Sequence, residues 1–557
     1  MKQMSTYEAS HTENERYRML SVLIKRPLEI VIIVLAFTAL TILFSGGYRI
    51  NLGFAELSLT SLRRICLYLA FAFSVRLTLS DWLKYDTFID RVRKITSSRL
   101  FPLCLFLSLT VIYVTVKIFY TLTFINWARD ISVYEYAFFN TLKGRFMYSP
   151  FLNKCYFAEH FSPLLLTALP FYAVIPSKYT LIIWQSVLLA GAVIPALYLT
   201  QKLWDDSISS TFFTVGLVTS SAFSLVLTCD VHQEAAYPLL FLTSIMALLS
   251  RRKGWFVVSI LLLLTVKEDA PIYAGFIAIS AIIYRRWWKV GIICLTISIS
   301  YWFATIYVIM PAFGAKGFGP PQIISRWGQY GSSIVEIAIW LLTHPVEVMR
   351  MIFRYEVLRF IPQLIFTPLF SPWVLITLPY LLIHATSNME IQYNFTAYFG
   401  APSLTLFAIA SVYGIKNISS WLGKLRVNKK KVILFASMAV MIINIGHLNL
   451  VHIDRDTLIA RKILSQIPDD ASLSAQEHIF PHLPPRREIH ILPEIDSADY
   501  VFIDTGLLSG IFSRTDAIVC LRDLVIKGEY EVIEKGGNRF YLLKRKDDVM
   551  MKETINN

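Results

Sequence analysis

Four short clusters of ionisable residues interrupt an otherwise apolar chain. They are Asp130 with Glu135, Glu159 beside His160, Asp230-x-His232-x-Glu234, and Lys267-Glu268-Asp269. Charged groups set among apolar runs are costly in lipid and tend to mark sites. Carboxylates such as Asp130, Asp230 and Glu234 can take the proton of an attacking hydroxyl. A fixed cation, here Lys267 or Arg326, can hold the charge that builds on a departing phosphate. Each cluster also has a plainer use. Asp130 opens an amphipathic stretch that ends at Lys143-Gly144, so it reads equally as a helix N-cap. Asp230 with Gln233 has capping-box spacing. Glu234 falls one turn from Asp230 on the same helical face, whereas His232 points away. Lys267 can satisfy the carbonyl end of the helix before it, and Asp269 ahead of Ala270-Pro271 can cap the next. Glu268 has no such use. His160, ahead of Phe161-Ser162-Pro163, reads as an interfacial hydrogen-bonder.

The elements that position these residues are helices in lipid. The chain has 557 residues, 55% of them hydrophobic and only 17% charged, against about a quarter charged in soluble domains. Its apolar residues fall in runs, and in lipid such runs must be helices, because every backbone polar group needs an internal partner. The runs predict an all-α polytopic membrane protein of about thirteen spans, placed at 28–45, 62–80, 101–123, 179–201, 210–228, 235–250, 255–267, 270–284, 288–310, 356–369, 371–385, 398–414 and 432–449. The proline-broken piece 161–176 reads as re-entrant or interfacial, and 336–355 as amphipathic. From about 455 to 545 the pattern changes to short β-rich segments, such as 500–504 and 539–543, with a turn at Lys535-Gly536-Gly537-Asn538. This predicts a small α/β domain outside the membrane, removable without unfolding the rest. The chain thus divides into a tail with two extra spans (1–100), a membrane domain (101–450) with large loops at 124–178 and 311–355, and the α/β domain.

Net charge is +14, from 53 basic and 39 acidic residues. The basic residues gather in short loops, at 25–26, 91–99, 251–253, 285–289 and 424–431. Alternating the spans from a cytoplasmic N-terminus puts all five clusters inside, as the positive-inside rule asks. The same alternation collects the acidic clusters, and everything after 450, on the outer face. Membrane lipids are therefore the expected partners of this charge, and nucleic acid is not. The N-terminus lacks the features of a cleaved signal and reads as leading into an uncleaved first span of a multi-pass cell-membrane protein. The six cysteines form no CxxC, so no zinc or redox motif is signalled, and the topology lets Cys155 and Cys229 share a compartment. No cofactor is expected, though the acids could bind a divalent cation.

The strings ARDISVYEYAFFNTLKG, EHFSPLLLTALPFYAVIPS, CDVHQEAAYPLLFLTSIMALLSRRK, LLLTVKEDAPIYAGFIAI and IYVIMPAFG resemble the predicted-membrane-protein family called domain of unknown function 2079. The resemblance runs over about 120–450 and loosely beyond. That family is similar to the C-type glycosyltransferases, multi-span proteins that move a sugar from a polyprenyl-phosphate carrier to an acceptor on the non-cytoplasmic face. The resemblance implies a general base in the first outer loop, here Asp130, and a second acidic cluster, here at Asp230. Where the superfamily often pairs two acids, this chain has Arg129-Asp130. Asp130, Asp230 and Glu234 are the catalytic candidates, and Glu135, His160, His232, Lys267, Glu268, Asp269 and Arg326 the substrate-binding ones. A transporter or lipid flippase, and a non-catalytic assembly or sensor protein, are the other classes compatible with the sequence.

Overall fold

Prolines and small residues decide where the apolar runs become straight helices and where they break. The structure, a computed structural model, describes residues 27–39, 41–42, 48–51, 56–59, 64–65, 67–69, 71–72, 75–76, 87–124, 129–315, 325–445, 447, 453–506 and 514–546. The tail 1–26, parts of the first two expected spans and the stretches 125–128 and 316–324 lie outside the described residues. Among the described residues, four helices are long and apolar enough to cross a membrane: Phe101–Leu122, Lys178–Trp204, Trp288–Ala312 and Glu390–Lys424. The pair Ser207–Val218 and Ser221–Thr228, bent by 42°, makes a fifth if taken as one span. Shorter apolar helices stand beside them, among them Gln233–Leu249, Lys253–Leu264, Ala270–Arg285 and Pro372–Ala385. The expected thirteen full spans are therefore not thirteen long helices. The run expected at 356–369 shows why. It breaks into Tyr355–Leu358, Phe360–Gln363 and the 3-10 turn Thr367–Phe370, because Pro362 and Pro368 lack an N–H and cannot continue a helix.

The long helices differ in what covers them. In Phe101–Leu122 and Trp288–Ala312 only 22% of the most apolar window is buried, against 83% in Glu390–Lys424. The first two expose Leu103, Leu107, Val111, Ile292, Ile293 and Phe303, a surface suited to lipid rather than water. Glu390–Lys424 is the central helix, and its small residues admit close neighbours. A Cβ on Gly414 would stand 1.8 Å from the Thr367 carbonyl oxygen, so only glycine lets that turn pack there.

Several helices carry acid at one end and base at the other. Ala270–Arg285 starts after Asp269 and ends in Arg285. Tyr237–Leu249 starts just after Glu234 and ends just before Arg251. Arg285 donates to the carbonyls of Leu248 at 3.2 Å and Leu249 at 2.9 Å, so the two basic ends meet. Sixteen helical residues rise about 24 Å, which separates the acidic ends from them by most of a bilayer core.

The C-terminal residues form a five-stranded mixed sheet, in the order Ile489–Ile491, Leu473–Ala475, Tyr500–Asp504, Phe540–Arg545, Tyr530–Gly536. The first three strands run parallel and the last two pair antiparallel. Helices Arg455–Leu464 and Arg514–Lys527 accompany it. Fully buried Asp504 is held by Arg539 at 2.8 and 2.9 Å and by the Gly506 N–H at 2.7 Å. The sheet does not stand apart from the helices. Ala460, Ile463, Leu473, Phe480, Phe502 and Phe540 share one core with Phe124, Tyr136, Phe138, Phe151 and Leu165 of the loop region after Phe101–Leu122. Phe124 stacks on His482 with ring centres 3.7 Å apart. Clean removal of this part, as the sequence suggests, would strip the shared core of more than a third of its buried residues.

Candidate active site

The four clusters meet. A cavity of about 1180 Å³ is walled by Asp130, His160, Asp230, His232, Glu234, Lys267 and Arg326. Asp130 is the second residue of the helix Arg129–Leu142 and not its cap. The cap comes from a distant loop. Asp230 accepts from the backbone N–H of Asp130 through one oxygen, and from those of Ile131 (3.0 Å) and Val231 (2.8 Å) through the other. A helix start has unpaired N–H groups and the positive end of the dipole, so a carboxylate from elsewhere fits there. Burial, and then the charge of Asp130, push the Asp230 carboxyl up to about 6, against the pull of Lys117 and His232. The capping-box reading also fails. Gln233 instead accepts from the Tyr134 hydroxyl at 2.8 Å, and Tyr237–Leu249 starts without a side-chain cap.

With both oxygens of Asp230 engaged, Asp130 is the carboxylate left facing the open space. Its side chain is 44% exposed, all the more notable beside Glu234 at 2%. His232 does not point away. Its Nε2 lies 3.2 Å from Asp130 Oδ2 and its Nδ1 3.7 Å from Glu234 Oε2. Its ring centre sits 3.5 Å from that of Tyr398. Burial raises the Asp130 carboxyl, but the hydrogen bond and charge of His232, helped by Arg129 and His160, hold it below its ordinary value.

The other end of the cavity is cationic. Lys267 Nζ meets Glu234 Oε1 at 2.6 Å, both side chains buried, an arrangement in which neither charge is left alone at depth. The remaining oxygen, Glu234 Oε2, has no hydrogen-bond partner among the described residues. The Arg326 side chain has none among the described residues, while its carbonyl is fixed by the Asn388 N–H at 2.9 Å. Lys267 and Arg326 also line a second cavity of about 230 Å³ whose other walls are mostly apolar, among them Ile272, Trp302, Ile306, Ile337 and Leu341. A polar chamber and an apolar one therefore join at two cations.

Three expected residues lie off the polar chamber. Glu135 is five residues from Asp130, which on a helix turns it about 140° away. It is buried, facing Lys178 on the far side, and burial pushes its carboxyl up to about 7 although Lys178 works against this. Glu268 is held by His160 Nδ1 at 2.7 Å and the Phe161 N–H at 3.2 Å. Burial opposes its ionisation, yet the charge and hydrogen bond of His160, with Lys267, bring it down to about 2. Asp269 caps nothing and accepts from the hydroxyls of Tyr237 at 2.5 Å and Tyr273 at 2.9 Å. Both Glu268 and Asp269 line the apolar chamber instead. Cys155 and Cys229 are free thiols. Two neighbours of the site escaped sequence reasoning. Tyr398 carried no signal beyond its ring. Lys117, 1% exposed and hydrogen-bonded to the Cys229 carbonyl, did: it is the one charge in the apolar run Phe101–Leu122.

The sequence matches the profile of the family described as Predicted membrane protein (DUF2079) over residues 123–536. The chain belongs to this family. The family's stretch takes in every residue of the polar chamber named above and runs through four of the five C-terminal strands, so the sheet is part of the family's own unit. No curated protein matches the chain. Among solved structures it is similar to ArnT from Cupriavidus metallidurans bound to undecaprenyl phosphate, with 10% identity and a TM-score of 0.50, covering 80% of this chain and 98% of that one. The apo form of the same protein aligns with 12% identity and a TM-score of 0.46. At such identity the bound form speaks for the fold, and that fold is the expected C-type glycosyltransferase-like membrane architecture.

Proposed function

We propose that this family member transfers a sugar from a polyprenyl-phosphate carrier to a hydroxyl acceptor on the non-cytoplasmic face of the membrane. The observation that carries the reading is the meeting of the two chambers at Lys267 and Arg326. An isoprenoid tail fits the apolar chamber, its phosphate the cations, and its sugar the polar chamber, towards Asp130. The acceptor hydroxyl attacks the anomeric carbon and gives its proton to Asp130. The bond from that carbon to the phosphate oxygen breaks, and the electron pair leaves with the phosphate. Arg326, which has no carboxylate partner among the described residues, takes the larger share of the released charge, and Lys267 stays divided between it and Glu234. His232 orients Asp130, and Asp230 holds the helix that carries it. This chemistry asks for no metal, and Asp230 already gives both oxygens to backbone N–H groups. Basic loops at the opposite helix ends support an outward-facing site, with the N-terminus cytoplasmic and the C-terminal sheet outside.

The test is release of free polyprenyl phosphate. Purified protein in sealed vesicles is given polyprenyl-phosphate-linked sugars and an acceptor extract from the source envelope. Release that depends on Asp130 is expected. Passage of a solute or lipid across the vesicle without release would assign the chain to transport instead.

A further inference from the structure

A lysine sealed inside an apolar helix needs a reason to stay. Lys117 lies in Phe101–Leu122, is 1% exposed, and directs its ammonium at the Cys229 carbonyl. Cys229 closes the helix Ser221–Thr228, so that carbonyl belongs to the negative end of a helix dipole. The next residue is Asp230, whose oxygens sit on the first N–H groups of Arg129–Leu142. Charges therefore alternate along a line: a helix C-terminus, the Lys117 ammonium, the Asp230 carboxylate, and the helix N-terminus that bears Asp130. Removing the ammonium would take away the first of the two cationic groups that offset the repulsion of Asp130 at Asp230, leaving His232 and the backbone N–H groups.

We propose that Lys117 is a positioning residue: by holding the Cys229 carbonyl and the charge of Asp230, it keeps Asp230 docked beneath the helix that presents Asp130. The importance of that position rests on Asp130 being the reacting carboxylate, but the docking itself does not. Lys117 touches no part of either chamber's contents. Its effect passes through Cys229 and Asp230, and the groups facing Asp230 are Asp130, His232, Cys229 and Lys117 itself.

Dicyclohexylcarbodiimide, an apolar reagent for protonated carboxyls, tests this without any sugar. Purified protein is labelled from about pH 5 to about pH 8 and Asp230 modification is read by peptide mass spectrometry. In Lys117→Met the midpoint for Asp230 should rise by about one unit or more, and Lys117→Arg should return it towards that of the unaltered protein. An unmoved midpoint in Lys117→Met overturns the proposal. Where Lys117→Met does not accumulate in the membrane, pairing it with Asp230→Asn should restore accumulation, since an uncompensated buried charge is then gone. A double variant that accumulates no better than the single one also overturns it. A shifted midpoint in a protein that releases no polyprenyl phosphate would retain Lys117 and reject the transfer reaction, so the two readings fail separately.

Discussion

Asp130 and Glu135 stand on one helix, share one chemistry and have opposite surroundings. Asp130 opens into the polar chamber beside an imidazole, with its carboxyl held low. Glu135 is buried beside Lys178, which donates to the Pro481 carbonyl of the C-terminal part, with its carboxyl pushed up. The same contrast runs along the whole helix. Tyr134 hydrogen-bonds Gln233 on the chamber wall, whereas the Tyr136 hydroxyl accepts from the Arg486 N–H of the C-terminal part at 3.2 Å. One face of Arg129–Leu142 lines the polar chamber and the other docks the C-terminal part. Burial and partner, not residue type, decide which acid can do chemistry.

The hardest way to break the comparison is to remove the docked side. Truncation after residue 452 would expose Phe124, Tyr136, Phe138 and Phe151, which share a core with that part. Each large side chain loses about 1.5–3 kcal/mol of burial, so the four together lose roughly 6–12 kcal/mol, comparable with the whole stability of a typical domain. We expect the truncated protein to vanish from membranes in an immunoblot. Normal accumulation would show that the docking face is dispensable.

The next effect belongs to the other face. Because Asp230 supplies the cap, Asp130→Asn and Asp130→Ala should behave alike, each cutting polyprenyl phosphate release by roughly a hundredfold or more with thermal stability unchanged. Asp230→Ala should instead cost about 1–2 kcal/mol, since it leaves helix N–H groups without their acceptor. An active Asp130→Asn would move the chemistry elsewhere in the chamber.

How much of this the sequence disclosed follows from the range of each interaction. The acid clusters, their common side and the cations Lys267 and Arg326 were legible, because charge in an apolar run is a local signal. The boundaries of straight runs such as Phe101–Leu122 and Ala270–Arg285 were legible for the same reason. The roles of Asp230 and His232 were not. Local spacing assigned Asp230 to the helix that follows it, and the true partner is a helix start elsewhere in the chain. His232 was placed by helical periodicity, but residues 230–232 are not helical, so that angle had no meaning. The amphipathic stretch from Asp130 is legible as a helix, but the sequence does not show that the C-terminal part docks on one face of it, the face that carries Tyr136. That contact is invisible without the fold.

A smaller effect separates the two acids by pH. The Glu135 carboxyl stands at about 7 against an ordinary 4.5, so the folded state binds a proton more tightly than the unfolded one. For an acid raised in this way, stability is highest below its unfolded value and falls as pH rises from about 4.5 to about 7. Glu135→Gln removes the ionisation. Detergent-solubilised Glu135→Gln should therefore gain on the unaltered protein as pH rises through this window, by on the order of 1–3 kcal/mol at pH 8, read as a shift in thermal midpoint. A gain that is the same at pH 5 and pH 8 would show that Glu135 does not titrate there.

The finest probe removes one oxygen from each face. Tyr136→Phe deletes the acceptor of the Arg486 N–H, a residue only 2% exposed, so about 1–3 kcal/mol of stability should go while transfer is unaffected. Tyr134→Phe deletes a donor to Gln233 on the chamber wall. Gln233 then faces the chamber with its oxygen free, where a ligand hydroxyl can replace the lost partner, so the stability loss should be the smaller of the two. Its consequence should fall on the reaction, as a weaker apparent affinity for the sugar-bearing lipid with little change in maximal rate, because the hydroxyl acts on binding before and after the proton moves alike. Matched stability losses and matched kinetics in the two variants would mean that the helix has no division between its faces, and the contrast between Asp130 and Glu135 would then need another cause.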